Sequence, residues 1–497
     1  MLDVFRSDLT AAVAGAGTMG RGIAQVLAQC GARTLLYDAQ PGAAAKAKDA
    51  IAQALGKLVE KGKTTEAETK ALLSRIEVAP SLDAFAPCHV VVEAIIEDLS
   101  AKQALFTSLE KIVGEKSVLA SNTSSLSVTA MAAACKHPGR VAGYHFFNPV
   151  PVLKIVEVVD GVRTEPWATD ALTALAKRFG HTPVRCKDTP GFIVNHAGRA
   201  FVPEALRVLS EGVADFATID RILIDAAGFR IGPFGLMDLV GLDVNHAVMK
   251  SMYQQYFEEP KYKPSFLVEA RVAAGLLGRK TGRGWYEYKD GSAVSIQEPS
   301  PPAARTDSVW IVPELRDLFS KFKVKVESKW NSSSINFVAP LGKDCTSAAL
   351  ELGLDPSRTV AIDPLFGFSK RRTLMVNPLT SRETREAAHA LLASDGAPVS
   401  VINDSAGFVA QRIVAHIVNV GCDIMQMRIC SPEDLDRAVM LGLGYPKGPL
   451  GFGDALGAQR VLTILENMHD FYDEPRYRPS PWLKRRAKLG ASLLTPE

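Results

Sequence analysis

The stretch YHFFNPVPVLKIVEVV, residues 144–159, sets an imidazole, His145, and a carboxylate, Glu157, in an otherwise apolar run. Taken alone, the pair reads as a satisfied core histidine and a strand-end glutamate. Beside a group that accepts hydride from an alcohol carbon, the two residues acquire roles. An imidazole titrating near neutrality can take the hydroxyl proton. A carboxylate on its far nitrogen can fix the tautomer and stabilise the imidazolium that forms.

A hydride acceptor is implied by GAGTMGRG, in which Gly15, Gly17 and Gly20 fit G-x-G-x-x-G. The motif follows an apolar strand, LTAAVA at 9–14, opens a helix, and is answered by Asp38 at the end of the next strand. In that setting it is a dinucleotide-binding fingerprint: glycines permit a tight turn and close approach of backbone N–H groups to a pyrophosphate. Asp38 would accept hydrogen bonds from a ribose 2′-hydroxyl and repel a 2′-phosphate. The neighbouring AQP has no arginine to receive one, so NAD is favoured over NADP. SNTSSLS at 121–127 adds small hydroxyl and amide donors at the carboxyl end of another strand, where ligands of such sheets bind. By itself that stretch reads equally as a turn or a helix cap.

Short strands at 9–14, 89–95, 117–121, 140–144 and 152–159, with helical segments between several of them, predict a mainly parallel, doubly wound α/β sheet of Rossmann type. Residues 43–75 interleave Lys46, Lys48, Lys57, Lys61 and Lys63 with Ala and Leu, which predicts a long helical insertion with a basic face. After KDTPGF the pattern turns helical, over 192–211, 218–227 and about 235–256, and closes near GRKTGRGWYEY at 278–288. Residues 289–306, rich in Pro, Ser and Ala, read as a linker.

The second part of the chain repeats the first. KDTPGF at 187 returns as NDSAGF at 403, GPFGLMDLVG at 232 as GPLGFGDALG at 448, and EEPKYKPS at 258 as DEPRYRPS at 473. The expected division is therefore 1–188, Rossmann-type; 189–288, helical; 289–306, linker; 307–402, a degenerate, shortened α/β segment; and 403–497, a second copy of the helical domain. The segment 360–378 echoes 141–161 weakly, with Asp363-Pro364 against Asn148-Pro149, no histidine for His145, and Leu374 at or near the place of Glu157.

At 497 residues the chain is too long for one core, and its 57 basic against 54 acidic residues give no electrostatic case for nucleic acid or a membrane as partner. Seven scattered cysteines without a CxxC pair suit reduced thiols in the cytoplasm and no metal site. Neither a signal peptide nor a transmembrane span is expected.

The motifs GAGTMGRGIA, VVEAIIED, SNTSSLS, HFFNPVPVLKIVEVV, KDTPGFIVN and GRKTGRGWYEY, in this order over residues 9–288, closely resemble the L-3-hydroxyacyl-CoA dehydrogenases. The resemblance implies NAD-dependent, reversible oxidation of a 3-hydroxyacyl-CoA to a 3-ketoacyl-CoA in fatty-acid or aromatic and dicarboxylic acid catabolism. It implies His145 as general base, Glu157 as its orienting group, Ser124 on the substrate oxygen, and Asn195 completing the site. NAD contacts would come from the glycine loop with Thr18 and Met19, and from Asp38, Glu97, Lys102, Asn122, Asn148 and Lys280. Lys61 matches a lysine that meets the CoA nucleotide, whereas a serine that neighbours CoA in relatives is Ala54 here. Single-copy relatives dimerise through the helical domain, so the duplication implies an internal pseudo-dimer, with further homo-oligomerisation left open. Two other readings stand beside this one: an NAD-linked dehydrogenase of a free 3-hydroxy acid, and a hydrolase using Ser124, His145 and Glu157. No G-x-S-x-G elbow supports the latter.

Overall fold

The strands β1 (Thr10–Ala14), β2 (Arg33–Tyr37), β3 (Ile76–Val78), β4 (Val90–Glu93), β5 (Val118–Ser121), β6 (Val141–Phe146), β7 (Ile155–Asp160) and β8 (Thr182–Lys187) make one sheet in the order β3-β2-β1-β4-β5-β6-β7-β8. The computed structural model describes residues 2–497. All neighbours in this sheet run parallel except β6 and β7. Parallel pairs need a crossover, and helices such as Thr18–Gln29 and Leu99–Ile112 provide it. The short link from β6 to β7 carries no helix, so the chain turns back antiparallel. β3 and β8 escape a reading by apolar runs: one is three residues long, and the other, TPVRCK, mixes Pro and Arg at a sheet edge, where a missing N–H is tolerated.

The basic insertion is two helices, Ala43–Glu60 and Glu66–Ser74. The second opens on a capping box in which the Thr65 side chain accepts from the Glu68 N–H and the Glu68 carboxylate accepts from the Thr65 N–H.

The chain divides into two compact units that cut across the five-part division expected from composition. The first comprises Met1–His196 and Arg428–Leu443. Its core includes Val13, Leu36, Val92, Tyr144, Phe146 and Val158. The helix Pro432–Gly442 packs on β7 and β8. There the Lys187 N–H donates to the Ile429 carbonyl at 2.9 Å, Cys186 faces Cys430 in an antiparallel bridge, and the Arg185 N–H donates to Asp434 at 3.3 Å.

The second unit comprises Ala197–Met427 and Gly444–Glu497. It holds most helices of both repeats, Pro432–Gly442 excepted, a hairpin of β9 (Tyr288–Lys289) and β10 (Ser292–Ala293), and a six-stranded sheet. The strands of that sheet are β11 (Ser308–Ile311), β12 (Lys325–Val326), β13 (Ile335–Val338), β14 (Thr359–Ile362), β15 (Arg372–Val376) and β16 (Val399–Ile402), in the order β12-β11-β13-β14-β15-β16 with β14 and β15 antiparallel. The expected linker is tacked down: Glu298 pairs with buried Arg371, and Arg221 donates to the Ile296 carbonyl. The helix Val409–Gln426 runs unbroken, whereas its counterpart in the first repeat is split by a 3-10 turn at Gly198–Ala200 before resuming as Phe201–Ser210. Among the described residues, no helix is long and apolar enough to cross a membrane.

Candidate active site

Antiparallel pairing of β6 with β7 sets His145 directly opposite Glu157. His145 Nδ1 lies 2.5 Å from Glu157 Oε2. Glu157 is fully buried, and its other oxygen, Oε1, accepts the backbone N–H groups of Ile193 at 2.9 Å and Val194 at 2.8 Å. A carboxylate taken out of water needs such donors. They are aimed by a turn in which Gly191 and Phe192 both take positive φ, 75° and 51°. For phenylalanine that conformation is strained, and strain of this kind collects where a chain is held for a purpose. The Phe147 and Phe192 rings pack around the imidazole, with centroids 4.5 and 5.8 Å from it. Because Nδ1 is engaged, Nε2 is the nitrogen left for chemistry.

A second cluster shapes the loop after β5. Glu97 Oε1 accepts the Thr123 hydroxyl at 2.8 Å, the Ser124 N–H at 2.9 Å and the Ser125 N–H at 3.1 Å. Burial pushes the Glu97 carboxyl up, but the Lys102 ammonium and the hydrogen bonds from Thr123 and Ser124 outweigh it and hold the group below its ordinary range. Lys102 is itself buried, 2.6 Å from Glu93 and 3.2 Å from Glu97, so its charge is committed to these two acids. Glu93 also accepts the Ser121 hydroxyl at 2.6 Å. Asn122 Oδ1 accepts the Phe146 N–H at 2.9 Å, tying this loop to the strand that carries His145. Asn195 Nδ2 donates to the Ser124 carbonyl at 3.4 Å. Two hydrogen-bonded pairs, His145 with Glu157 and Ser124 with Asn195, are thereby brought together, because the backbone that donates to Glu157 at 193–194 runs directly into Asn195.

At the other end of the sheet's ligand edge, a Cβ on Gly15 would meet the Ala94 carbonyl oxygen at 2.4 Å, and one on Gly20 the Gly15 oxygen at 1.8 Å. A Cβ on Gly17 would meet nothing within 4 Å. Gly15 and Gly20 are thus required by the protein's own packing, and Gly17 leaves backbone open toward solvent at the start of the helix Thr18–Gln29. Thr18 is exposed and Met19 half-buried. The Asp38 carboxylate is oriented by the N–H groups of Ala16 at 2.7 Å and Gln40 at 2.9 Å.

Comparison with known proteins gives the family. Residues 10–189 match the model of the 3-hydroxyacyl-CoA dehydrogenase NAD binding domain, and residues 191–288 and 407–492 each match the 3-hydroxyacyl-CoA dehydrogenase C-terminal domain. The chain belongs to the 3-hydroxyacyl-CoA dehydrogenase family. It is 39% identical over 485 residues to the 3-hydroxyadipyl-CoA dehydrogenase of Escherichia coli K12, covering 97% of this chain and 98% of that protein. The crystal structure of a 3-hydroxybutyryl-CoA dehydrogenase from E. coli K12 superposes with a TM-score of 0.87 at 37% identity, covering 97% of this chain and 99% of that one. The human mitochondrial hydroxyacyl-coenzyme A dehydrogenase is 41% identical over 285 residues, 56% of this chain and 90% of its own length.

For a member of this dehydrogenase family the cofactor is NAD, and the open backbone at Gly17 beside the oriented Asp38 fits its pyrophosphate and adenosine ribose. Of the other residues that the motifs pointed to, Asn148 stands exposed in the turn after β6 and Lys61 is exposed at the end of the helix Ala43–Glu60. Lys280 belongs to the second unit, where it pairs with Asp243 at 2.6 Å.

The match of 360–378 to 141–161 is corrected by its strand register. Glu157 lies beside Val184, and Thr373 beside Ser400, which follows Val184 by the same 216 residues that separate Lys187 from Asn403. Thr373, rather than Leu374, therefore takes the place of Glu157. The Asp363 N–H donates to the Thr373 carbonyl at 3.2 Å, so Asp363 takes the place of His145 and not that of Asn148. Gln411 stands for Asn195 and donates to Asp363 at 2.9 Å and to the Pro340 carbonyl at 3.1 Å. Phe408, the counterpart of strained Phe192, relaxes to a φ of −66°. With Thr373 in place of the carboxylate of Glu157, Phe408 has no such strain.

Two contributors had little sequence signal. Ile193 and Val194 act through backbone N–H groups that side-chain identity cannot reveal. Glu93 had a visible sign, an acid inside the apolar strand VVVE, and Ser121 is the first residue of the SNTSS motif.

Proposed function

We propose that this chain oxidises (S)-3-hydroxyacyl-CoA thioesters to 3-ketoacyl-CoA, reversibly, with His145 as general base. The observation that carries the reading is the buried Glu157 carboxylate on Nδ1 of His145, which leaves Nε2 to take the substrate's hydroxyl proton. NAD+, when bound, accepts the hydride from the same carbon. Glu157, held by two backbone donors, keeps the imidazole in one tautomer and meets the positive charge that develops on it. Ser124 and Asn195 orient the substrate oxygen, and the Glu97–Lys102–Glu93 cluster holds the Ser124 loop in place. Lys61 reaches the CoA nucleotide as a point charge, and Asn122 and Asn148 join the glycine loop in holding NAD.

The relatives are named for 3-hydroxyadipyl-CoA and 3-hydroxybutyryl-CoA, so a short chain and a terminal carboxylate are the two substrates to separate. Kinetics of NADH oxidation across acetoacetyl-CoA, longer 3-ketoacyl-CoAs and a dicarboxylic analogue, with His145→Gln beside wild type, test the assignment. Activity confined to free 3-hydroxy acids, or wild-type turnover in His145→Gln, would sink it. We place the protein in the cytoplasm, because seven scattered cysteines suit reduced thiols better than a disulfide framework.

We further infer that the second half is a duplicated catalytic module that has become an internal partner, with boundaries near 189–288 and 403–497 for the helical copies. Asp188 and Asp404, 216 residues apart, each accept two N–H groups at the start of a helix, Val128–Ala132 and Cys345–Glu351. Reciprocal contacts support the pseudo-dimer. Lys187 N–H donates to Ile429 in the first unit, and Asn403 N–H donates to Val213, also at 2.9 Å, in the second. Such exchange is the mark of a two-fold interface. Within the second unit, buried Arg412 pairs with buried Glu204 at 2.9 Å, Arg207 with Glu474 at 2.6 Å, and Lys261 with Asp423.

A further inference from the structure

The segment Arg428–Leu443 comes from the repeat that has lost the histidine and glutamate, yet it lies against the elements that hold Glu157. Three observations bear on this. The Lys187 N–H to Ile429 carbonyl bond pins β8, the strand that runs beside Glu157 with Val184 as its neighbour. Cys186 and Cys430 face each other, and both thiols are pushed up, first by burial and then by charges that include that of Glu157, so the carboxylate's field reaches this segment. Most directly, a Cβ on Gly442 would stand 3.0 Å from both methyl carbons of Val194. Val194 supplies one of the two N–H groups on Glu157.

The repeat shows why Gly442 matters. The positions 216 residues away are Ala226 for Gly442 and Ala410 for Val194. In the repeat where Thr373 stands for Glu157 these positions are Ala226 and Ala410; in the repeat that has Glu157 they are Gly442 and Val194. A branched residue sits where the donating turn must be rigid, and the opposing helix has given up its side chain to admit it. Close packing of this kind transmits small displacements.

We propose that Arg428–Leu443 is a positioning element for the catalytic pair, with Gly442 setting Val194 and hence the orientation of Glu157 toward His145. The second repeat thus contributes to the reaction without touching substrate. This rests on the reading of Glu157 and His145 given above.

The test uses the full chain. Gly442→Ala is expected to lower kcat about tenfold with KM within twofold, because an added methyl displaces a donor that matters most as imidazolium forms. The acid limb of log kcat/KM against pH should move to lower pH as the imidazolium loses part of its counter-charge. Adding Val194→Ala, which keeps the N–H and removes the two methyl carbons, should restore both readouts to those of Val194→Ala alone. If Gly442→Ala fails to fold, Val194→Ile applies the same pressure from the other side and should give the same pair of changes. A thermal shift with kcat and pH profile as in wild type, in whichever variant folds, would overturn the proposal. Wild-type turnover in His145→Gln would instead overturn the reading beneath it, whatever Gly442→Ala does.

Discussion

Glu157 faces His145 across the antiparallel pair of an otherwise parallel sheet, 2.5 Å from Nδ1, with its second oxygen closed off by two backbone N–H groups. The geometry holds the carboxylate against Nδ1 and leaves Nε2 for the proton transfer we propose. Neither residue could reach this arrangement on a parallel pair, where the short link between β6 and β7 would be impossible.

Substituting either member tests the proposed roles of base and orienter. His145→Gln should lower kcat by about 10²–10⁴-fold with KM changed little, since the proton acceptor is lost and the binding surface is not. Glu157→Gln should also cost at least about 10²-fold, because an amide that still accepts from Ile193 and Val194 turns its NH2 toward Nδ1 and imposes the wrong tautomer. Steady-state kinetics followed at the nicotinamide absorbance check both.

We propose that Asp38 decides between the two nicotinamide dinucleotides. Its carboxylate is already oriented by Ala16 and Gln40, so repulsion of a 2′-phosphate is built in. Asp38→Ser should raise KM for NAD about tenfold and narrow the NAD to NADP ratio of kcat/KM by about 10²-fold. An unchanged ratio would show that the 2′ position is read elsewhere.

Lys102 compensates Glu93, which is wholly buried. Lys102→Met leaves that charge without a counter-ion and should cost about 3–5 kcal/mol of stability, with a raised KM for NAD as the Ser124 loop loosens. Adding Glu93→Gln should recover most of the loss in Tm, because the orphaned charge is then gone.

Asp363 makes the second repeat sensitive to pH. Burial pushes its carboxyl from 3.8 up to about 6, against the hydrogen bonds from Leu365 and Gln411 that favour the charged form. Between these two values the folded chain holds a proton that the unfolded chain has released, so stability falls as pH rises from about 4 to about 6 and is flat on either side. Asp363→Asn should remove this loss, on the order of 2–3 kcal/mol, and raise Tm at pH 8 but not at pH 4. Asp220, also pushed up to about 6 by burial, keeps part of the slope in the variant. Thermal melts from pH 4 to 8 give the comparison.

Much of this was legible in the chain itself. The glycine spacing with Asp38, the strand alternation, the 216-residue repeat and the His145–Glu157 spacing are local or periodic features, and local backbone sterics and burial periodicity make them readable. Tertiary structure alone decided four things. It set Glu157 opposite His145 rather than one residue off, assigned Thr373 and Asp363 to the vacated places, buried Lys102 between two acids, and brought Arg428–Leu443 against β8. The donors on Glu157 belong to Ile193 and Val194, residues whose side chains carry no polar mark. Every residue but proline has that N–H, so only the fold can say which ones meet a buried charge.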